Sequence, residues 1–160
     1  MLSIIQIMDN FIFKKGAKAI LLDKKGRVLM GKRAKGIESG KWCLVGGKPE
    51  ENETMEEAVI REVREEISIS VKLSFYREVE GVDETKGVRW LSSYFIGHLK
   101  SDNPPDKFEK NELSELRFFS FEELDDLEIA FDHKKVLKDF FKDYPLGVTT
   151  PIKNKKKGLK

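Results

Sequence analysis

Apolar and polar positions alternate in a way that predicts strands first, one central helix, more strands, and a final helix. Residues 11–22 contain the strand-like run AKAILL, the DKKG at 23–26 supplies a turn, and RVLMGK at 27–32 returns as a second strand. Residues 42–45 read as a short buried strand that delivers the chain to Gly46-Gly47. From Glu53 or Thr54 to Ile67 the period changes to that of a helix. Met55, Val59, Val63 and Ile67 recur every four residues with Ala58 beside them, and no Gly or Pro interrupts the run. Residues 71–80 and 88–99 alternate as two further strands around the polar GVDETKG turn, and 103–111, with Pro104-Pro105, is a loop. Residues 116–119 form a last strand, and Ser120 caps a short helix with Glu123 three residues on. Asp132 then caps a final helix, into which Phe131, Val136, Leu137, Phe140 and Phe141 pack their side chains. This order predicts an α/β fold, a mixed sheet covered by helices on both faces.

The polar face of the central helix changes the picture. Glu62, Glu65 and Glu66 stand at i, i+3 and i+4, so three carboxylates gather on one side. Like charges that close repel, and a purely structural helix gains nothing from them. A divalent cation reverses that sign, and Mg²⁺ prefers one or two carboxylates with water and substrate phosphate completing its shell. A solvated acidic face is the alternative reading of the spacing alone.

The longer pattern separates the two readings. The stretch GGKPEENETMEEAVIREVREEISI, residues 46–69, resembles the signature of the Nudix hydrolase family, G-x5-E-x7-R-E-U-x-E-E-x-G-U, where U is a bulky aliphatic residue. Gly47, Glu53, Arg61, Glu62, Val63, Glu65, Glu66 and Ile69 match it, and Ser68 stands where the family has Gly. Val45 stands where many relatives have Pro. The resemblance extends over roughly residues 11–142 and implies a Nudix-type α/β/α sandwich with a mixed sheet and the signature loop and helix. It also implies a Mg²⁺-dependent hydrolase, with Mn²⁺ as a possible substitute, that cuts a phosphoanhydride in a nucleoside diphosphate linked to a variable group. Gly46 would offer its main-chain oxygen to the metal, and Glu62, Glu65 and Glu66 their side chains. Gly47 and Arg33 would lie at the substrate, Glu53 and Arg61 would brace loop and helix as an ion pair, and Glu112 would be the general base, with Glu109 and Glu115 as rivals.

Substrate is less legible. A MutT-like (deoxy)nucleoside triphosphate pyrophosphohydrolase suits the compact domain. ADP-ribose or a nucleotide sugar is the close rival, because AFDHKKVL at 130–137 resembles segments of ADP-ribose-cleaving relatives. Against it, no proline lies at 84–86, where a common ADP-ribose submotif has one. A nucleotide-binding sensor without turnover would be expected to have lost the three glutamates, and cap or RNA-end removal is a third reading.

Composition and charge set the outer limits. With 160 residues, 39% apolar and 36% charged, the chain reads as one soluble domain over 1–144. The net charge of +2 is uneven: Lys153, Lys155, Lys156, Lys157 and Lys160 lie in a terminal segment, 145–160, read as a mobile tail. Without those five, 25 basic residues face 28 acidic ones, which argues against a grip on long nucleic acid. Residues 1–8 are apolar but lack the features of a signal peptide and read as a strand or packed arm; no run is long enough to span a bilayer. The lone Cys43 forms no internal disulfide, which suits a cytoplasmic location, and reads as a small core residue. A small-molecule nucleotide is the expected partner, and a homodimer remains open. Trp90, Tyr94 and Phe95 are read as core before base-stacking, and His98 and His133 show no ligand spacing.

Overall fold

The computed structural model describes residues 10–145. The expectations for 1–8 and for the lysine-rich segment beyond 145 lie outside the described residues.

Seven strands form one sheet with a split personality. Strand β1 (Ile12–Leu22) pairs in parallel with β6 (Val88–His98) along its whole length, and β6 pairs antiparallel with β5 (Leu73–Asp83). On its other side β1 touches β2 (Val28–Arg33) only at Leu22↔Val28, because the tight Asp23 turn splays the two strands apart. The Asp23 carboxylate holds that turn by accepting from the Lys25 and Arg27 amides at 3.0 and 2.8 Å. Into the gap opened by the splay comes β4 (Val45–Gly47), antiparallel to β1. Strand β2 instead pairs antiparallel with β3 (Trp42–Cys43) and β7 (Leu113–Phe119).

Two expectations about this sheet need correction. The run at 42–45 is not one strand: Leu44 marks the crossing from β2 to β1, so Gly46 and Gly47 lie inside a strand. The last strand begins at Leu113, three residues early, because its partner β2 offers backbone groups as far as Arg33.

Helix α1 (Met55–Ile67) covers one face of the sheet. Ala58, Val59, Val63 and Ile67 are buried against Ala17, Ala19 and Leu21 of β1 and Phe95 of β6. Its start is a reciprocal box, with the Glu57 amide donating to Thr54 Oγ1 at 3.1 Å and the Thr54 amide to Glu57 Oε2 at 3.3 Å. Its end is Ser68 at φ 58° and ψ 34°, the left-handed conformation usually given to glycine. The alternate residues of β1, Ile20 and Leu22, face the other way into a second core with Trp42, Leu44, Tyr94 and Phe119. Helix α2 (His133–Asp143) closes that core with Val136, Leu137, Phe140 and Phe141. A single 3₁₀ turn, Phe121–Asp126, precedes it, with the Ser120 amide bonded to Glu123 Oε2 at 2.7 Å.

The start of α2 differs from expectation. Asp132 occupies the cap position but makes no side-chain capping bond, and Phe131 turns outward at φ 56° instead of packing into the core. Among the described residues no helix is long and apolar enough to cross a membrane.

Candidate active site

Two consecutive glycines on β4 let the acidic face of α1 approach the sheet, and each is required for a different reason. A Cβ on Gly46 would lie 2.0 Å from the Ala17 carbonyl oxygen, so only glycine lets β4 pair with β1 here. A Cβ on Gly47 would lie 2.5 Å from the Glu62 carboxylate, so the space of a side chain is taken by that carboxylate.

Arg61 fixes the arrangement from the helix side. It meets Glu53 in a two-pronged pair, Nε to Oε2 at 2.8 Å and Nη2 to Oε1 at 2.9 Å, and donates to the Lys48 carbonyl at 3.0 Å. Its Nη1 reaches Glu62 Oε1 at 3.0 Å and Glu65 Oε2 at 3.1 Å. Glu53 also accepts from the Glu50 amide at 2.9 Å, so one arginine ties loop 48–53 to α1. The Arg61 bonds and the Glu50 amide hold the Glu53 carboxyl at about 2.

The three helix glutamates are not equivalent. Glu62 and Glu66 are half-buried beside β4, whereas Glu65 is exposed on the rim, held only by Arg61. Burial pushes the Glu66 carboxyl up to about 7; Glu62 and Glu112 add to the rise, while Lys18 and the Gly46 amide oppose it. A carboxylate so poised is short of positive charge. Among the described residues no three acidic, His or Cys side chains converge closely enough to cage an ion by themselves. Two hard oxygen donors next to a backbone strand nevertheless fit a magnesium-type ion, which keeps waters and needs few protein ligands.

Of the candidates outside the helix, Glu112 is the one whose charge reaches the helix carboxylates. It lies on the loop before β7, paired with Lys35 at 3.0 Å, and its charge bears on Glu66. Glu109 donates its amide to the Glu66 carbonyl at 2.7 Å, which ties its loop to the end of α1, while its carboxylate accepts from the nearby Asn111 amide at 3.2 Å. Glu115 sits on β7 opposite Lys32 with Arg117 4.0 Å away. Arg33, at the end of β2, donates Nε to the Ile37 carbonyl at 2.8 Å and stacks 4.9 Å from the Phe131 ring centre. The Phe131 amide is in turn bonded to Glu38 Oε2 at 2.6 Å, which joins loop 34–41 to the start of α2.

Three residues have places that the sequence does not reveal. Lys18 is half-buried in mid-strand, cross-strand from Gly46, and only its interruption of the apolar run could have flagged it. Phe131 was placed in the core and is 48% exposed. His133, given no role, is fully enclosed and accepts the Leu44 amide on Nδ1 at 3.2 Å, and burial drives its pKa well below the usual value. It is thus a neutral strut that fixes the crossing between β3 and β4. Tyr94 and Phe95 are buried as expected, Trp90 lies over Gly81, and His98 is exposed. A cavity lined by Ser70, His98 and Pro104 contains neither the helix glutamates nor Gly46 and Gly47.

The NUDIX domain model matches residues 13–140. An ADP-ribose pyrophosphatase of Methanocaldococcus jannaschii is 31% identical over 128 residues, which cover 76% of this chain and 70% of that protein. An 8-oxo-dGTP diphosphatase of Proteus vulgaris is 43% identical over 56 residues, covering 34% of this chain and 50% of the relative. The crystal structure of a MutT NUDIX hydrolase from Burkholderia pseudomallei superposes with a TM-score of 0.67 at 29% identity, over 79% of this chain and 97% of that one.

Proposed function

This chain belongs to the Nudix hydrolase family and is a pyrophosphohydrolase of phosphoanhydride bonds, and on that premise we propose that it cleaves a (deoxy)nucleoside triphosphate to the monophosphate and pyrophosphate with Mg²⁺. The observation that carries the reading is the Glu62–Glu66 carboxylate pair set against Gly46-Gly47, with the cations Lys18 and Arg33 beyond it.

The residues divide the work as follows. Glu62, Glu66 and the Gly46 carbonyl oxygen would hold the ion, and Glu65 would be free to join them once released from Arg61. An exposed i,i+4 pair is worth about 0.5 kcal/mol or less, so that departure costs little. The bound ion supplies charge withdrawal from the phosphates and a lowered pKa for an attacking water. Arg61 and Glu53 keep loop and helix in register, so the donors need no rearrangement when charge develops. Glu112 accepts the proton of the attacking water, and Arg33 with Gly47 positions the phosphates. Replacing Glu65 or Glu66 by Gln removes most of the rate and leaves the fold.

ADP-ribose is the second reading, favoured by the relative matched over 128 residues. Residues 84–86 are Glu-Thr-Lys, without the proline of the ADP-ribose submotif, which supports the triphosphate. A panel of triphosphates, ADP-ribose, dinucleoside polyphosphates and capped RNA with Mg²⁺, products identified by ³¹P NMR, tests the assignment. The expected result is pyrophosphate and a nucleoside monophosphate. AMP and ribose 5-phosphate from ADP-ribose, with triphosphates inert, would overturn it. A cytoplasmic location belongs to the same proposal.

A further inference from the structure

Lys18 stands where the pattern of β1 calls for an apolar side chain. Its neighbours of the same parity, Ile20 and Leu22, are core residues, and its cross-strand partners are Gly46 on β4 and Tyr94 on β6. Its stem runs over Gly46, where an added Cβ would come within 2.9 Å of Lys18 Cδ. A half-buried ammonium gains from a counter-charge, although its nitrogen is not sealed from water. Yet among the described residues no carboxylate lies within ion-pair distance of Lys18.

Shielding Glu62 and Glu66 does not account for it. A cation kept only for that purpose would close to contact, and Glu62 already has Arg61 at 3.0 Å. Arg33 is the second cation. The Ile37 carbonyl and the Phe131 ring immobilise its guanidinium, and it too has no carboxylate partner among the described residues. Tyr94, the cross-strand partner of Lys18, lies 6.1 Å from the His133 ring, and His133 lies 5.5 Å from the Phe131 ring on which Arg33 stacks, so the two cations flank one group of rings and each charge bears on the other. Two unpaired cations, one fixed in orientation and one rising from mid-strand, repel until an anion arrives. Once a divalent ion has taken the carboxylates, that need is greater.

We propose that Lys18 and Arg33 together grip a phosphoryl group of the substrate, Lys18 from mid-strand β1 and Arg33 from the end of β2. The inference rests on the phosphoanhydride reading above and adds Lys18 as a substrate-binding residue. A phosphoryl oxygen accepts from the ammonium and another from the guanidinium, so both bonds are charge-assisted.

The test uses the full chain, with inorganic pyrophosphate as the probe in EDTA and calorimetry as the readout. Lys18→Met weakens pyrophosphate binding about tenfold or more, the range of one charged hydrogen bond, while Lys18→Arg stays within a few-fold of wild type. Mn²⁺ alone binds Lys18→Met at least as tightly as wild type, which shows that the carboxylates are undisturbed. Should Lys18→Met not fold, amine acetylation of the wild-type protein serves instead, and pyrophosphate is expected to slow modification of Lys18. Unchanged pyrophosphate affinity in Lys18→Met, no binding to wild type, or no protection of Lys18 overturns the proposal. A wild-type protein that binds pyrophosphate through Lys18 but hydrolyses no nucleotide sinks the functional reading instead.

Discussion

Gly46→Ala and Gly47→Ala add the same methyl group to adjacent residues and should have opposite consequences. At Gly46 the new Cβ meets the Ala17 carbonyl oxygen at 2.0 Å and Lys18 Cα at 2.9 Å, both backbone atoms of a paired strand. Neither can retreat without separating β4 from β1, so the cost is about 3 kcal/mol or more. At Gly47 the obstacle is the Glu62 carboxylate at 2.5 Å, the far end of a flexible side chain, whereas ordinary contact begins at 3.4 Å. The carboxylate must therefore move by about 1 Å, a displacement that costs about 10²-fold in rate when the group is catalytic. Stability should fall by only about 1 kcal/mol, or about 2–4 °C in Tm. Thermal melts and Mg²⁺-dependent pyrophosphate release, run on both variants, separate the two effects. A Gly47→Ala protein with wild-type kcat would refute the placement of Glu62 at the reacting centre.

Further outcomes follow from the same geometry. Ser68→Gly relieves a left-handed residue at φ 58° and should raise stability by about 1 kcal/mol, seen as a higher urea midpoint; a lower midpoint contradicts the strain argument. The Glu53 carboxyl, held at about 2, stabilises the fold above the unfolded carboxylate pKa, and that contribution is lost as pH falls from about 4 towards 2. Glu53→Gln should flatten the acid limb of the stability curve between those values. Glu66, raised to about 7, must lose a proton to bind metal, so Mn²⁺ affinity without nucleotide should climb with pH up to about 7 and then level; Glu66→Gln should abolish the climb. His133→Phe leaves the Leu44 amide without its acceptor, at a cost of about 1–3 kcal/mol, measured as a Tm drop, whereas full stability would remove the strut role.

What was legible in the sequence was whatever repeats or is local. The period of Met55, Val59, Val63 and Ile67 announces α1, and the family resemblance implies an ion pair between Glu53 and Arg61, which are joined by two hydrogen bonds. Thr54-x-x-Glu57 was an equally plain capping signal that went unread. Long-range packing was less accessible. The splay of β1 from β2, which admits β4, depends on a turn and a crossing at Leu44 that no single stretch reveals. Phe131 was placed in the core because aromatic residues near helices usually pack, but a positive φ and the Arg33 guanidinium hold it outside. Lys18 was visible only as a break in an apolar run, and its meaning needed the neighbouring strand.

The most direct measurement is anomalous diffraction from crystals soaked in Mn²⁺ with a non-hydrolysable nucleoside triphosphate. The account predicts a manganese peak within bonding distance of the Glu62 and Glu66 carboxylates and the Gly46 carbonyl oxygen, with a phosphate oxygen completing its shell. Manganese bound elsewhere, with neither of those two side chains among its ligands, would contradict it.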